Sequence, residues 1–271
     1  MKDSSDIHRK ETAFHDDWAR STKLEEINVR EAFECPTAME NQFILRWLQP
    51  LNGLRVLDVG AGLGESSVYF ALQGARVTAS DISPGMVETA KSLAALHGVE
   101  VDGLVMTGED LQVPAESFDV VYLANVIHHV TDRDRLFAGV RRALKPGGRF
   151  CSFDPVAYNP VINHYRRMAT EVRTEDESPL RRADLELARR YFPDVRHREF
   201  WLASLALFIK YWLVDGVHPN QDRYWKRIYK ETRGGLFWWY PLRAADSILT
   251  RLPLLHWWCW NAVLYGTKPP A

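Results

Sequence analysis

Cysteine is scarce in this chain of 271 residues, which contains only Cys35, Cys151 and Cys259. The three are far apart and none belongs to a CxxC pair, so the sequence offers neither a zinc-binding cysteine motif nor a disulfide framework. A fold without disulfides is typical of a reducing compartment. We therefore expect an intracellular protein, with no metal site.

Long hydrophobic runs are also missing. The longest, FWLASLALFI, stops at Lys210, whereas a helix needs ~20 apolar residues to span a bilayer. The first residues, MKDSSDIHRKET, are polar and lack the apolar segment of a signal peptide. We expect no secretion, and a protein that is cytoplasmic or attached to the surface of a membrane.

Neither sign of charge is in excess, because 34 Lys and Arg residues oppose 35 Asp and Glu residues, for a net charge of −1. No overall field attracts nucleic acid, so we expect no nucleic-acid partner. Hydrophobic residues make up 46% and charged residues 25%, which is typical of a globular domain.

Short apolar segments alternate with helical ones in the first half of the chain. The predicted strands are RVLDVG, RVTASD, VDGLVMTG, SFDVVYLAN and RFCSFD, and helical patterns separate most of them. Such alternation implies parallel crossovers and predicts a doubly wound α/β sheet.

The regions on either side of this alternation differ from it. We predict a helical cap over 1–53, a core over 54–202 with a lid at 155–178, an aromatic helical insertion over 203–256, and the last strand within 257–271. Eight of the ten tryptophans lie from Trp201 onward.

The stretch VGAGLGES places three glycines at alternate positions after the first predicted strand. A dinucleotide site has the spacing G-x-G-x-x-G, and this loop is one residue shorter. Asp58 precedes it inside the strand, where a carboxylate would face a phosphate badly but suits an ammonium group. Asp81 ends the second strand, where its two oxygens match ribose hydroxyls, and Glu109 and Asp110 are placed for an adenine amino group. Together these features favour S-adenosylmethionine over NAD.

At this point the chain resembles the class I S-adenosylmethionine-dependent methyltransferases. The matching stretches are VLDVGAGLGESSVYFALQGARVTASDIS, GEDLQVPAESFDVVYLANVIHHV and RALKPGGRF. They are most similar to the branch with ubiquinone/menaquinone and small-molecule methyltransferases. The resemblance implies a Rossmann-like, mostly parallel seven-stranded sheet whose last strand is antiparallel, and WNAVLYGTKP suits that strand.

The same resemblance implies a set of cofactor-binding residues. They are Asp58, Gly60, Ala61, Gly62 and Gly64 around the methionine part, Asp81 on the ribose, Ile82 and Met86 on adenine, Glu109 or Asp110 at its amino group, and Asn125 and Val126 along the pocket. Simple turn glycines at Gly60 and Gly62, and a helix-capping Asp81, are the structural alternatives, although Ser83 is the better cap.

His128 and Asp154 follow or end neighbouring predicted strands, so the two side chains can meet. We predict that His128 is a general base and that Asp154 orients its imidazole. The alternative is a histidine that only packs beside the cofactor, and we expect His129 to be structural.

Candidate substrate contacts lie in two regions. The lid contributes Tyr158, Asn159, His164, Tyr165, Arg167 and Arg173, and the first helix contributes His15 and Trp18. Arginines there suit a carboxylate or phosphate, whereas a solvated ion-pair surface is the alternative.

The aromatic insertion has three interpretations: a membrane-contacting surface, a packed cap, or a homodimer interface. We predict O-methylation of a small, hydrophobic hydroxylated acceptor. The alternatives are N-methylation of an amine or lipid headgroup, and a non-catalytic scaffold that binds the cofactor. In place of the Asn-Pro-Pro-aromatic signature of nucleic-acid methyltransferases, the chain has ANVIHH.

Overall fold

The computed structural model describes residues 4–174 and 176–270. Within them, seven strands form one sheet. The strands are β1 (Arg55–Val59), β2 (Arg76–Asp81), β3 (Val101–Val105), β4 (Phe118–Ala124), β5 (Leu144–Pro155), β6 (Arg196–Phe200) and β7 (Asn261–Thr267).

Eleven α-helices surround the sheet within the described residues. They are α1 (Ser4–Ser21), α2 (Glu31–Glu34), α3 (Met39–Leu48), α4 (Glu65–Leu72), α5 (Pro84–Leu96), α6 (Arg133–Ala143), α7 (Pro160–Met168), α8 (Arg182–Tyr191), α9 (Ala206–Leu213), α10 (Tyr224–Arg227) and α11 (Trp239–Leu249). We find none among them whose length and hydropathy would let it traverse a bilayer.

The strand order β3-β2-β1-β4-β5-β7-β6 confirms the predicted doubly wound sheet. The first five strands in this order pair in parallel, whereas β7 is antiparallel to both β5 and β6. The chain order reverses between β1 and β4. In an open α/β sheet, ligands bind beyond the carboxyl ends of the strands at such a reversal.

Alternating side chains of the strands enter two apolar clusters, one on each face of the sheet. Val56 of β1 belongs to the cluster that includes α3, α4 and α5, and Leu57 to the cluster that includes α6 and α8. Strands covered on both faces are nearly continuous in apolar residues, which explains why the sequence pattern identified them.

The predicted cap and insertion pack against the core. Ala19, Ile27 and Phe33 lie in the same apolar cluster as α4 and α5. A third cluster joins α9, α10 and α11 with Met39 of α3 and Tyr165 of α7. The 1–53 and 203–256 boundaries stay predictions.

Candidate active site

A cavity of about 270 Å³ opens at the carboxyl ends of β1 and β4. Its walls come from α1, α3, the loop after β1, the ends of β2 and β4, α7 and the segment around α10. The cavity therefore lies at the reversal of strand order.

The glycine loop forms one wall of the cavity, and its three glycines all have positive φ. A Cβ on Gly60 would overlap Cγ2 of Val126, and one on Gly64 would lie 2.6 Å from Cα of Ala90. Gly62 has open space where a Cβ would stand and borders the cavity. A ligand can therefore approach the backbone closely at Gly62.

Two carboxylates form hydrogen bonds with this loop and with the start of the helix that follows it. Asp58 is buried and accepts a 2.6 Å hydrogen bond from Ser67 Oγ. Burial raises the pKa of Asp58 to about 7, since the Ser67 hydrogen bond offsets only part of the desolvation. Asp81 accepts from the Gly62 N–H and the Ser83 N–H, both at 3.0 Å. Ser83 caps α5 by accepting from Met86 N, as expected.

The residues predicted for adenine and along the pocket divide into those that line the cavity and those that do not. Ile82, Asn125 and Val126 line it, as does Glu109, whose Oε1 accepts from Thr131 N at 2.9 Å.

Three other predicted cofactor residues are not in that lining, because Met86 is fully buried in the core, Asp110 is exposed and bonded to Gln112, and Gly64 is the N-cap of α4.

His128 and Asp154 meet, as the sequence predicted. Nδ1 of His128 lies 2.7 Å from Oδ1 of Asp154, which also accepts the His128 backbone N–H at 3.1 Å. Burial lowers the pKa of His128 well below its usual value and raises the pKa of Asp154 to about 7. Of these two residues, only His128 lines the cavity, whereas Asp154 is completely buried and contacts Nδ1 of the ring.

Two further histidines of the site, His129 and His15, converge on Glu11 of α1. Its Oε1 lies 3.3 Å from His129 Nδ1, and its Oε2 lies 3.4 Å from His15 Nε2. Burial alone would raise the pKa of Glu11, but the bonds from His129 and His15 together lower it well below its usual value. His15 and Trp18 both line the cavity.

Three side chains here have metal-ligand spacing. The ligand atoms of His128, His129 and Glu177 lie within 4.8 Å of one another. Glu177 already forms an ion pair with Arg173, and a cation would compete with that guanidinium. The expectation of no metal stays a prediction.

Of the six residues predicted in the lid, Tyr165 and Arg173 line the cavity. The other four do not: Tyr158 packs on the Trp257 ring, Asn159 caps α7, and His164 and Arg167 are exposed.

Sequence reasoning missed Arg166 on α7 and Glu177, which line the cavity with Arg173. Ile162, Tyr165, Arg166 and Ala169 follow helical three-to-four spacing, and this periodicity was the available signal.

Glu40 of α3 was also missed, and it lines the cavity too. It accepts from Trp201 Nε1 at 3.1 Å and from Asn261 Nδ2 at 2.6 Å. Its partners are 161 and 221 residues away along the chain, so no local pattern could indicate them.

Comparison with known proteins agrees with this geometry. A family model described as "Methyltransferase domain" matches residues 57–169. A ubiquinone biosynthesis O-methyltransferase of Sinorhizobium medicae is 32% identical over 188 residues, which cover 61% of this chain and 74% of that protein. The chain belongs to the class I S-adenosylmethionine-dependent methyltransferases.

Other relatives match this methyltransferase over less of their length. A ubiquinone biosynthesis O-methyltransferase of Sinorhizobium fredii is 41% identical over 100 residues, or 37% of this chain. The chain spans about two fifths of the length of the first curated relatives it matches. Phosphoethanolamine N-methyltransferase 2 of Haemonchus contortus, solved with phosphomonomethylethanolamine and S-adenosylhomocysteine, has a TM-score of 0.57 at 19% identity, covering 86% of this chain and 53% of that one. This likeness supports the fold.

S-adenosylmethionine is the cofactor of the family, and the cavity of this methyltransferase fits it. Gly62 leaves open space beside its backbone, and Asp58, Asp81 and Glu109 line the same cavity. Carboxylates suit an ammonium group, ribose hydroxyls and an adenine amino group, which are the polar ends of this cofactor.

Proposed function

We propose that this methyltransferase transfers the methyl group of S-adenosylmethionine to a hydroxyl group of a small molecule. The observation that carries the proposal is the His128–Asp154 pair, whose imidazole borders the cavity. A hydroxyl needs its proton removed as it attacks, and an oriented histidine is a suitable base. The relatives named O-methyltransferases support the same chemistry.

The roles of the side chains follow from their positions. When bound, S-adenosylmethionine supplies an electrophilic methyl group on its sulfonium. His128 Nε2 accepts the proton of the acceptor hydroxyl, and Asp154 stabilises the resulting imidazolium through the Nδ1–H bond. Trp18 of α1 and Tyr165 of α7 border the cavity. There they exclude water and help to hold the acceptor oxygen in line with the methyl group.

The test compares variants in methyl transfer from labelled S-adenosylmethionine into a cell extract split into lipid and aqueous fractions. We expect His128→Ala and Asp154→Asn to lower the rate by about 10²- to 10⁴-fold, with unchanged affinity for S-adenosylhomocysteine. His97→Ala is the control, because His97 is exposed on the C-terminal end of α5. Full activity in both site variants would refute the role of His128 as the general base.

N-methylation of an amine or lipid headgroup and a non-catalytic scaffold are the competing functions. A neutral amine already has a free lone pair and needs little help from a base, so His128→Ala would then retain most of the rate. A scaffold would bind S-adenosylhomocysteine and label neither fraction.

We also propose that the aromatic insertion contacts the surface of an anionic bilayer, from which a hydrophobic acceptor enters. Five apolar side chains there are strongly exposed: Leu213 (66%), Val214 (76%), Phe237 (78%), Ile248 (67%) and Leu254 (78%). Exposed Arg233 and Arg251 lie a few residues from Phe237 and Leu254. Apolar side chains interspersed with cations suit an anionic membrane surface.

The test of this contact is co-sedimentation with vesicles of phosphatidylcholine and phosphatidylglycerol. We expect the wild type to sediment and the double variant Phe237→Ser, Leu254→Ser to remain in solution. Loss of a dimer in the same variant, with no vesicle binding by the wild type, would instead assign these residues to a homodimer interface.

A further inference from the structure

Arg166 brings a positive charge to the cavity without an acidic partner. Its Nη1 donates to Asn163 Oδ1 at 3.2 Å, while its Nη2 is buried and has no hydrogen-bond partner. Across residues 4–174 and 176–270, no carboxylate lies within ion-pair distance of this guanidinium. A buried charge without a counter-charge is costly unless a ligand supplies one.

The nearby carboxylate of Glu177 is not available to Arg166, because another arginine already pairs with it. Arg173 is paired with Glu177, and the guanidinium of Arg223 lies over the Trp18 ring, 4.2 Å from its centroid. Burial, with a further contribution from Arg173, lowers the pKa of Arg166 to about 9. Arg166 therefore remains charged at neutral pH in an environment that favours an anion.

This charge lies at the same end of the cavity as the proposed base. Arg166 and Arg173 are among the charges that depress the pKa of His128. Glu177, the partner of Arg173, has its Oε2 3.8 Å from His128 Nε2. An acceptor positioned by Arg166 would therefore have its reacting group near His128.

We propose that the methyl acceptor is an organic acid whose carboxylate binds the Arg166 guanidinium while its hydroxyl faces His128. The proposal rests on the proposed function, and it names the class of substrate. A single unpaired guanidinium matches the single charge of a carboxylate and binds it through paired N–H donors. A phosphate dianion would require a second free cation in the cavity lining, where Arg173 is paired with Glu177 and Lys226 with Glu65.

The experiment measures binding, so that it does not depend on turnover. The protein saturated with S-adenosylhomocysteine is titrated with 4-hydroxybenzoate, its uncharged analogue 4-hydroxybenzamide, and phenyl phosphate. We expect the benzoate to bind about 10- to 100-fold more tightly than the amide, the range for a charged hydrogen bond. Arg166→Gln should remove this preference and Arg166→Lys should keep part of it. Arg167→Gln is the matched control, because Arg167 is the exposed neighbour on the same helix.

Three results would overturn the proposal. They are equal or absent binding of the benzoate and the amide, an unchanged preference in Arg166→Gln, and tighter binding of phenyl phosphate than of the benzoate. Retained affinity for S-adenosylhomocysteine shows that each variant is folded. A benzoate preference without methyl transfer to any extract would contradict the proposed function and leave only the carboxylate-binding role of Arg166. A labelled product that anion exchange does not retain would contradict the organic-acid acceptor alone.

Discussion

The position of one proton decides which nitrogen of His128 is available in the cavity. If Asp154 is protonated, its O–H donates to Nδ1, and the ring proton is then on Nε2. If Asp154 is ionised, Nδ1–H donates to Oδ1 across the 2.7 Å contact, and the lone pair of Nε2 is free. The ionised form of Asp154 is therefore the one that supports a base.

The rate of methyl transfer should accordingly rise with pH around neutrality. The pKa of Asp154 is raised to about 7 by burial, so the carboxyl loses its proton, and the base becomes available, as the pH increases past that value. We expect the logarithm of kcat/KM, measured from pH 5.5 to 9, to rise with a slope of one against pH at low pH and then to level off. In Asp154→Asn this rise should disappear along with most of the rate, and a flat profile in the wild type would contradict the mechanism.

Replacing Gly60 should weaken cofactor binding. The residue has φ of +67° and its added Cβ would overlap Val126, so Gly60→Ala combines backbone strain of about 1–2 kcal/mol with a steric clash. We expect titration with S-adenosylhomocysteine to show at least a tenfold loss of affinity. Gly98→Ala is the control, because Gly98 has φ of +70° and open space around it. Equal losses of affinity in the two variants would show that backbone strain, and not the clash with Val126, weakens binding.

At the scale of helices, strands and loops, the sequence predicted those features that depend on residues close to one another in the chain. The strands, the glycine loop and the Ser83 cap are local patterns, and all three are present. The side of α7 that faces the cavity was not identified. Adjacent helical residues are rotated by about 100°, so choosing Arg167 instead of Arg166 selected the solvent-facing side.

The attachment of α11 to the end of β6 depends on one buried carboxylate, and its loss should destabilise the fold. Asp246 accepts from the backbone N–H groups of Leu202, Ala203 and Ser204 at 2.6 to 3.2 Å. Asp246→Ala leaves these donors unpaired, which costs about 2–4 kcal/mol. We expect a Tm several degrees lower in thermal unfolding, whereas Ser247→Ala, one residue away and exposed, should change it little. Equal Tm values would rule out this role.

At the scale of the whole molecule, the cavity joins residues that are far apart in the chain. The Trp18 ring packs beneath Arg223, Glu40 bonds to Trp201 and Asn261, and Glu65 forms an ion pair with Lys226. No periodicity encodes such pairs, which is why the sequence identified the cofactor loop and the His128–Asp154 pair but not the complete walls.

These long-range contacts predict that the molecule unfolds in one cooperative step. Eight of ten tryptophans lie from Trp201 onward, so their fluorescence reports mainly on the C-terminal part of the chain, whereas far-UV circular dichroism reports on all helices. We expect the two signals to give the same midpoint in urea. An earlier fluorescence transition would show that the part of the chain from Trp201 onward unfolds as an independent unit.

The central position of β7 has a consequence for synthesis on the ribosome. β7 is the last of the seven described strands to be made, yet it lies between β5 and β6. Until it emerges, β5 and β6 each present an unpaired edge to other nascent chains, and such edges promote aggregation. The sheet can therefore close only after residue 267 has left the exit tunnel, and until then these two edges are open to pairing with other chains.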